Sequence, residues 1–145
     1  MITSLGEIVD ARVRAAELVE ETERERSVLP PSPAIRVFVA VWKQPLMGLG
    51  GDSYGNDVIS VAGGENVTAD LARYPKLTID EVAARGPSLV LLPDEPYRFR
   101  EPDRPAFEVI APARVVDGKL LWWYGPRMPG AIRLLRELFQ EVSAR

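Results

Sequence analysis

The chain has no cysteine and no histidine in 145 residues, and each absence removes a class of chemistry. Without cysteine there is no disulfide and no thiolate nucleophile, and without either residue the usual zinc sites lack ligands. Ser-His-Asp and Cys-His catalytic arrangements are excluded for the same reason. A hard cation still finds oxygens, but Asp52, Glu65, Asp94 and Glu95 follow no recognised loop spacing. Long apolar runs are also missing: no stretch approaches the ~20 residues of a membrane span. No Lys/Arg cluster follows one face, and a net charge of -3 does not suit a polyanion. Nucleic acid is therefore not an expected partner. The first seven residues have neither the basic start nor the apolar run of a signal peptide. As written, the sequence reads as cytoplasmic or as having lost its targeting segment.

What is present describes one ordinary domain. Hydrophobic residues make up 46% and charged residues 27%, which is the balance of a globular chain long enough to bury a core. Residues 5–26 read as one long surface helix, with an apolar stripe of Leu5, Ile8, Val9, Val13 and Ala16. Ser4 and Glu7 have the spacing of a capping box, and Asp10 with Arg14 and Glu20 with Arg24 are pairs four apart. At ~1.5 Å per residue the helix spans about 33 Å, more surface than the rest of the chain supplies. The stripe is expected to seek a partner surface, in a homodimer or an exchange of helices. Leu29-Pro30-Pro31-Ser32-Pro33 is a stiff connector. The division expected is thus helix over 1–28, connector over 29–35 and an α/β unit over 36–145.

Val37 to Val41 and Leu89 to Leu92 are continuous apolar runs, the pattern of strands buried on both faces. A helix is expected from Tyr54 to Ala62, closed by Gly63-Gly64. Thr78 and Glu81 form a capping box that opens a short helix, stopped by Gly86-Pro87. Asp117-Gly118, between 114–116 and 119–122, predicts a hairpin turn. A last helix covers about 129–142. Alternation of this kind predicts a three-layer, Rossmann-like α/β unit with a small, mostly parallel sheet, preceded by a long helix.

In such sheets ligands bind outside the carboxyl ends of the strands. Three loops leave strands there: one opening Trp42-Lys43-Gln44-Pro45, one from Pro93 to Phe99, and one holding Trp122-Trp123-Tyr124-Gly125-Pro126-Arg127. Each carries aromatic and basic side chains, which suits a flat, partly anionic molecule. Gly48-Leu49-Gly50-Gly51-Asp52-Ser53 invites a dinucleotide reading. However, Ser53 stands where the third glycine belongs, and the glycines start too far from the strand. They read instead as residues that let a loop fold back. Asp94 and Glu95 are adjacent and point opposite ways in an extended segment, a poor acid/base pair. Asn66-Val67-Thr68 matches a glycosylation sequon, which carries no meaning without a secretory signal.

Taken in order, several segments resemble the cobalamin- and iron-siderophore-binding class of ABC-transporter substrate-binding proteins. They are Trp42 to Met47, Ala62 to Val67, Arg73-Tyr74-Pro75, Thr78 to Glu81, Pro87 to Leu92, Glu95-Pro96-Tyr97 with Phe99, and Asp117-Gly118 leading to Trp123–Arg127. The resemblance covers about residues 36–142, with 5–26 fitting the helix that joins the two lobes of that family. It implies a C-terminal lobe, an extracytoplasmic protein and a missing N-terminal lobe. The expected function is binding without catalysis, with cobalamin, haem or an iron-siderophore as a non-covalent ligand. Trp42, Lys43, Tyr97, Trp122, Trp123, Tyr124 and Arg127 are the expected contacts. Glu95, with Glu65 second, is expected to dock on the basic permease of an ABC transporter. The alternative from another class is a small α/β enzyme using Asp94 or Glu95 with Arg127 on a phosphorylated or carboxylated substrate.

Overall fold

The computed structural model describes residues 2–28 and 33–144. Five strands, β1 (Ile35–Trp42), β2 (Met47–Gly48), β3 (Gly64–Asn66), β4 (Leu89–Pro93) and β5 (Ala113–Val116), make one sheet. Its order is β2-β1-β4-β5, with β3 beside the start of β1. β1 runs parallel to β3 and β4, and β4 to β5; only β2 is antiparallel.

The two apolar runs became central strands because they bury both faces. Alternate residues of β1 point to opposite sides. Val37, Val39 and Val41 join one core with α3 (Tyr54–Ala62) and α7 (Met128–Ser143) through Val58, Ile59, Leu135 and Phe139. Phe38 and Ala40 join the other, with Val82 of α4 (Ile79–Ala84) and Phe107 of α5 (Pro105–Glu108). Helices therefore cover both faces of a mostly parallel sheet, the three layers that the alternation predicts.

Local signals hold where a side chain completes them. Ser53 caps α3 by accepting from the Asn56 N–H. Thr78 and Glu81 make both bonds of the capping box of α4. Gly50 and Gly51 hydrogen-bond to the Arg73 and Leu71 carbonyls, and a Cβ on Gly51 would lie 2.0 Å from the Ala69 oxygen. The glycines thus let two stretches of backbone touch. The sequon is also structural: Asn66 and Thr68 are buried, and both donate to the Leu49 carbonyl.

Two expectations need correction, and a third lies partly outside the described residues. The long first helix is two helices, α1 (Ile2–Ile8) and α2 (Arg12–Ser27). Asp10 takes φ 52, and the Ala11 N–H reaches the Gly6 carbonyl at 2.7 Å, a helix stop of the Schellman kind. Gly6 then packs on Ala15, so α1 folds against α2. Ser4 lies inside α1 and caps nothing, and Arg14 pairs with Glu17 rather than Asp10. Leu5, Ile8, Val9 and Val13 remain 53–78% exposed, while Ala15, Leu18, Thr22 and Glu25 face the body. The second correction concerns 119–122, which form the short helix α6 (Lys119–Trp122) and no hairpin. Of the connector expected at 29–35, residues 29–32 lie outside those described.

α2 is fastened to α7 by charge. Glu25 accepts from Arg133 Nε at 3.0 Å and from Arg136 Nη1 at 2.9 Å, and its carbonyl accepts from Arg136 Nη2 at 2.7 Å. Burial pushes the Glu25 carboxyl up, but the two arginine hydrogen bonds and their charge outweigh it and leave it below its ordinary value.

Candidate functional site

β1, β4 and β5 run in parallel, so their carboxyl ends share one edge, and the three aromatic loops meet there. Gln44-Pro45 and Glu95-Pro96 are cis and lie in the first two of these loops. Trp42 ends β1, 40% exposed, with its ring edge-on to Tyr97 at 5.3 Å. Tyr97 leans on Phe99 at 4.6 Å, and Phe99 on Phe107 at 5.5 Å. A row of rings thus runs from the surface into the core. Lys43 pairs with Asp103 at 2.5 Å. That hydrogen bond raises the lysine above its ordinary value and lowers the aspartate below its own. Lys43 thus ties the first loop to the turn that follows the second.

The second and third loops are tied more closely. Trp122 Nε1 donates to the Glu95 carbonyl at 2.5 Å, and Trp123 Nε1 to Glu95 Oε1 at 2.6 Å. Asp94 Oδ1 accepts from the Gly118 N–H at 2.8 Å. The backbones approach so closely that a Cβ on Gly118 would stand 2.4 Å from Glu95 Cγ and 2.8 Å from its carbonyl oxygen. Glycine is needed there for space, since its φ of -61 suits any residue. Arg127 lies over the Trp123 ring, 5.5 Å from its centroid, a cation–π placement. Tyr124 packs on Tyr54 at 4.3 Å. Burial first, then Tyr124, pushes the Tyr54 phenol above its ordinary value, so it stays a neutral donor, and it reaches the Trp123 carbonyl at 3.4 Å.

Two adjoining grooves open on this face. One, of about 360 Å³, is lined by Val41, Tyr74, Glu95, Pro96, Trp122 and Trp123. The other, of about 450 Å³, is lined among others by Asp52, Tyr54, Arg73, Tyr74, Trp122 and Tyr124. Tyr74 and Trp122 belong to both. The structure brings Trp42, Tyr97, Trp122, Trp123, Tyr124 and Arg127 to one edge and adds Tyr54, Arg73 and Tyr74, which sequence reasoning did not place there. The signal for Tyr74 was the Arg73-Tyr74-Pro75 motif. What places it is long-range backbone pairing, with Gly48 donating to the Pro75 carbonyl and Gly50 to that of Arg73.

Glu65 lies elsewhere. It sits on β3 beside Arg36, paired at 2.5 Å and half exposed. Six residues of strand separate Arg36 from Trp42, about 20 Å at ~3.3 Å per residue. The two carboxylates expected to dock thus occupy opposite ends of the sheet. Among the described residues no three acidic side chains converge as a metal site, and no helix is long and apolar enough to cross a membrane.

The arrangement is a three-layer α/β unit that presents an aromatic wall at the carboxyl edge of its sheet. Solved structures share this fold. A periplasmic haem-binding protein, RhuT from Roseiflexus sp. RS-1, matches 98% of this chain over 61% of its own, at 20% identity and a TM-score of 0.72. The haem-binding HutB of Vibrio cholerae matches 93% over 60% of its own, at 16% identity and 0.78. The vitamin B12-binding BtuF of Vibrio cholerae matches 94% over 55% of its own, at 16% identity and 0.70. The chain has the fold of one lobe of such periplasmic binding proteins, with the helices that precede it, and spans about 60% of the length of the first of them. No family model matches the sequence, and no curated protein matches it.

Proposed function

We propose that the chain is the ligand-facing lobe of an ABC-transporter substrate-binding protein, working outside the cytoplasm on a metal chelate: cobalamin, haem or an iron-siderophore. One observation carries the reading. At the carboxyl edge of the sheet, five aromatic side chains border two joined grooves with Glu95 and Arg73 among them, and Arg127 lies over one of the rings. Packing would bury such rings, yet Trp123 and Tyr124 remain 48% and 61% exposed. That surface suits one face of a flat macrocycle. Trp42, Tyr74, Tyr97, Trp122, Trp123 and Tyr124 supply the flat contacts, and Arg127 and Arg73 the cations. The kinship of fold with haem- and B12-binding proteins supports the same class of ligand.

The enzyme alternative is the weaker one. Asp94 holds the Gly118 N–H and Glu95 the Trp123 indole, so both carboxylates already have positioning work. For permease docking the geometry favours Glu65, exposed and away from the cleft face, over Glu95. A second lobe-like surface would close the cleft, from another chain or a second copy, and exposed Leu5, Ile8, Val9 and Val13 offer it apolar contact.

All three tryptophans of the chain, Trp42, Trp122 and Trp123, lie on this face. Titration with cyanocobalamin, haemin and a ferric siderophore should quench their fluorescence saturably with at least one of the three. Unchanged emission with all three, beside turnover of a phosphoester, would favour the enzyme.

A further inference from the structure

The ligand-lobe reading leaves one group on the wall without a full set of partners, and that group bears on which chelate fits. Glu95 is held from two directions: its carbonyl accepts the Trp122 indole and Oε1 accepts the Trp123 indole. Its position is therefore set before any ligand arrives, and little side-chain freedom remains to be lost on binding. A carboxylate offers about four acceptor positions. Among the described residues only one of these is taken, and Glu95 makes no ion pair; Arg127 is stacked on Trp123, and Arg73 borders the other groove. Glu95 is also the one charged side chain lining its groove, beside Val41, Pro96 and three aromatic rings.

Resting on the ligand-lobe reading, we propose that Glu95 is a specificity-determining residue. It accepts hydrogen bonds from a ligand edge that carries N–H donors, as the carboxamide rim of a corrinoid does, and turns away an edge that carries carboxylates or catecholates. An amide N–H placed there makes a charge-assisted bond. A carboxylate placed there meets a like charge in a groove walled by rings, where water compensates poorly. Turning a haem round, with its propionates toward Arg73, lays a methyl and vinyl edge on Glu95, which strips water from the carboxylate and returns no donor. A corrinoid carries amides around its whole rim and avoids both penalties. The loss of one hydrogen bond to a charged group corresponds to about ten- to a hundred-fold in affinity.

The test titrates the whole chain and its Glu95→Gln variant with cyanocobalamin and haemin, following tryptophan emission and confirming each Kd by calorimetry. The wild type is expected to bind cyanocobalamin at least about ten-fold more tightly than haemin. In Glu95→Gln cyanocobalamin should weaken by about ten-fold and haemin tighten, so that the preference collapses. A wild type that prefers haemin overturns the proposal without recourse to any variant. An unchanged ratio in a folded Glu95→Gln protein overturns the role of Glu95 alone and leaves the ligand-lobe reading in place. Binding of neither ligand overturns the role of Glu95, and it overturns the ligand-lobe reading as well where a ferric siderophore also fails to bind.

Discussion

Two glutamates define two different regions of this molecule. At the seam between α2 and α7, Glu25 is buried, each carboxylate oxygen accepts from an arginine, and its carbonyl takes a third bond. At the carboxyl edge of the sheet, Glu95 is half-buried, one oxygen accepts from an indole, and no arginine pairs with it among the described residues. Arg73 and Arg127 lie on the same face, and among the described residues neither guanidinium pairs with a carboxylate, whereas those of Arg133 and Arg136 at the seam do. The seam completes the fold from within the chain. The edge is held firmly in place, and among the described residues it keeps hydrogen-bonding capacity that the fold does not use.

The comparison breaks most visibly at the seam. Removing one partner of a buried ion pair strands the other charge, so Glu25→Ala should cost roughly 3 kcal/mol in urea unfolding while chelate affinity stays unchanged. Loss of affinity on that substitution would show that seam and edge are not separable. The same group predicts a dependence on pH. The folded-state carboxyl lies below its ordinary value of 4.5, so the stabilisation is complete above that value. It is lost as pH falls through the lower, folded-state value. Urea midpoints measured from pH 6 downward should therefore converge for wild type and Glu25→Gln in that acid range. A gap between them that stays constant would contradict the charge-based seam.

Gly118→Ala sharpens the other side of the comparison. A methyl group 2.4 Å from Glu95 Cγ forces the second and third loops apart, at a cost of about 2 kcal/mol by analogy with overpacked cores. Here stability and affinity should fall together, because the same contact sets the position of Glu95. A melt and a cyanocobalamin titration on one sample decide it. Thr78→Ala is the smallest change. It removes the cap of α4 for about 1 kcal/mol and should leave both glutamates and ligand affinity untouched.

Much of the frame was legible because its signals are local. β1 and β4 are continuous apolar runs since each buries both faces, and α4 is announced by Thr78 and Glu81 within three residues. The break in the first helix was hidden, because a stripe from Leu5 to Ala16 reads the same whether or not the backbone turns at Asp10. The four-residue α6 was also hidden, since Leu120 to Trp123 favour strands and a turn signal precedes them. At the site, the tryptophans announced themselves by clustering. The pairing of Lys43 with Asp103 spans 60 residues and that of Glu25 with Arg136 spans 111, so neither leaves a pattern in the sequence. Tyr54 and Tyr74 reach the wall on α3 and on a folded-back loop, outside the strand ends where ligand contacts were sought.

The central claim is that the face carrying Trp42, Trp122 and Trp123 is where a chelate binds. Its most direct test is the ¹⁵N–¹H spectrum of the chain titrated with cyanocobalamin, because each tryptophan contributes one indole signal. The Trp122 and Trp123 indoles, which hold Glu95, should shift or broaden saturably, while the Arg133 and Arg136 side-chain signals at the seam stay fixed. Saturable shifts confined to the seam, or indole signals unmoved while ligand binds, would contradict the account.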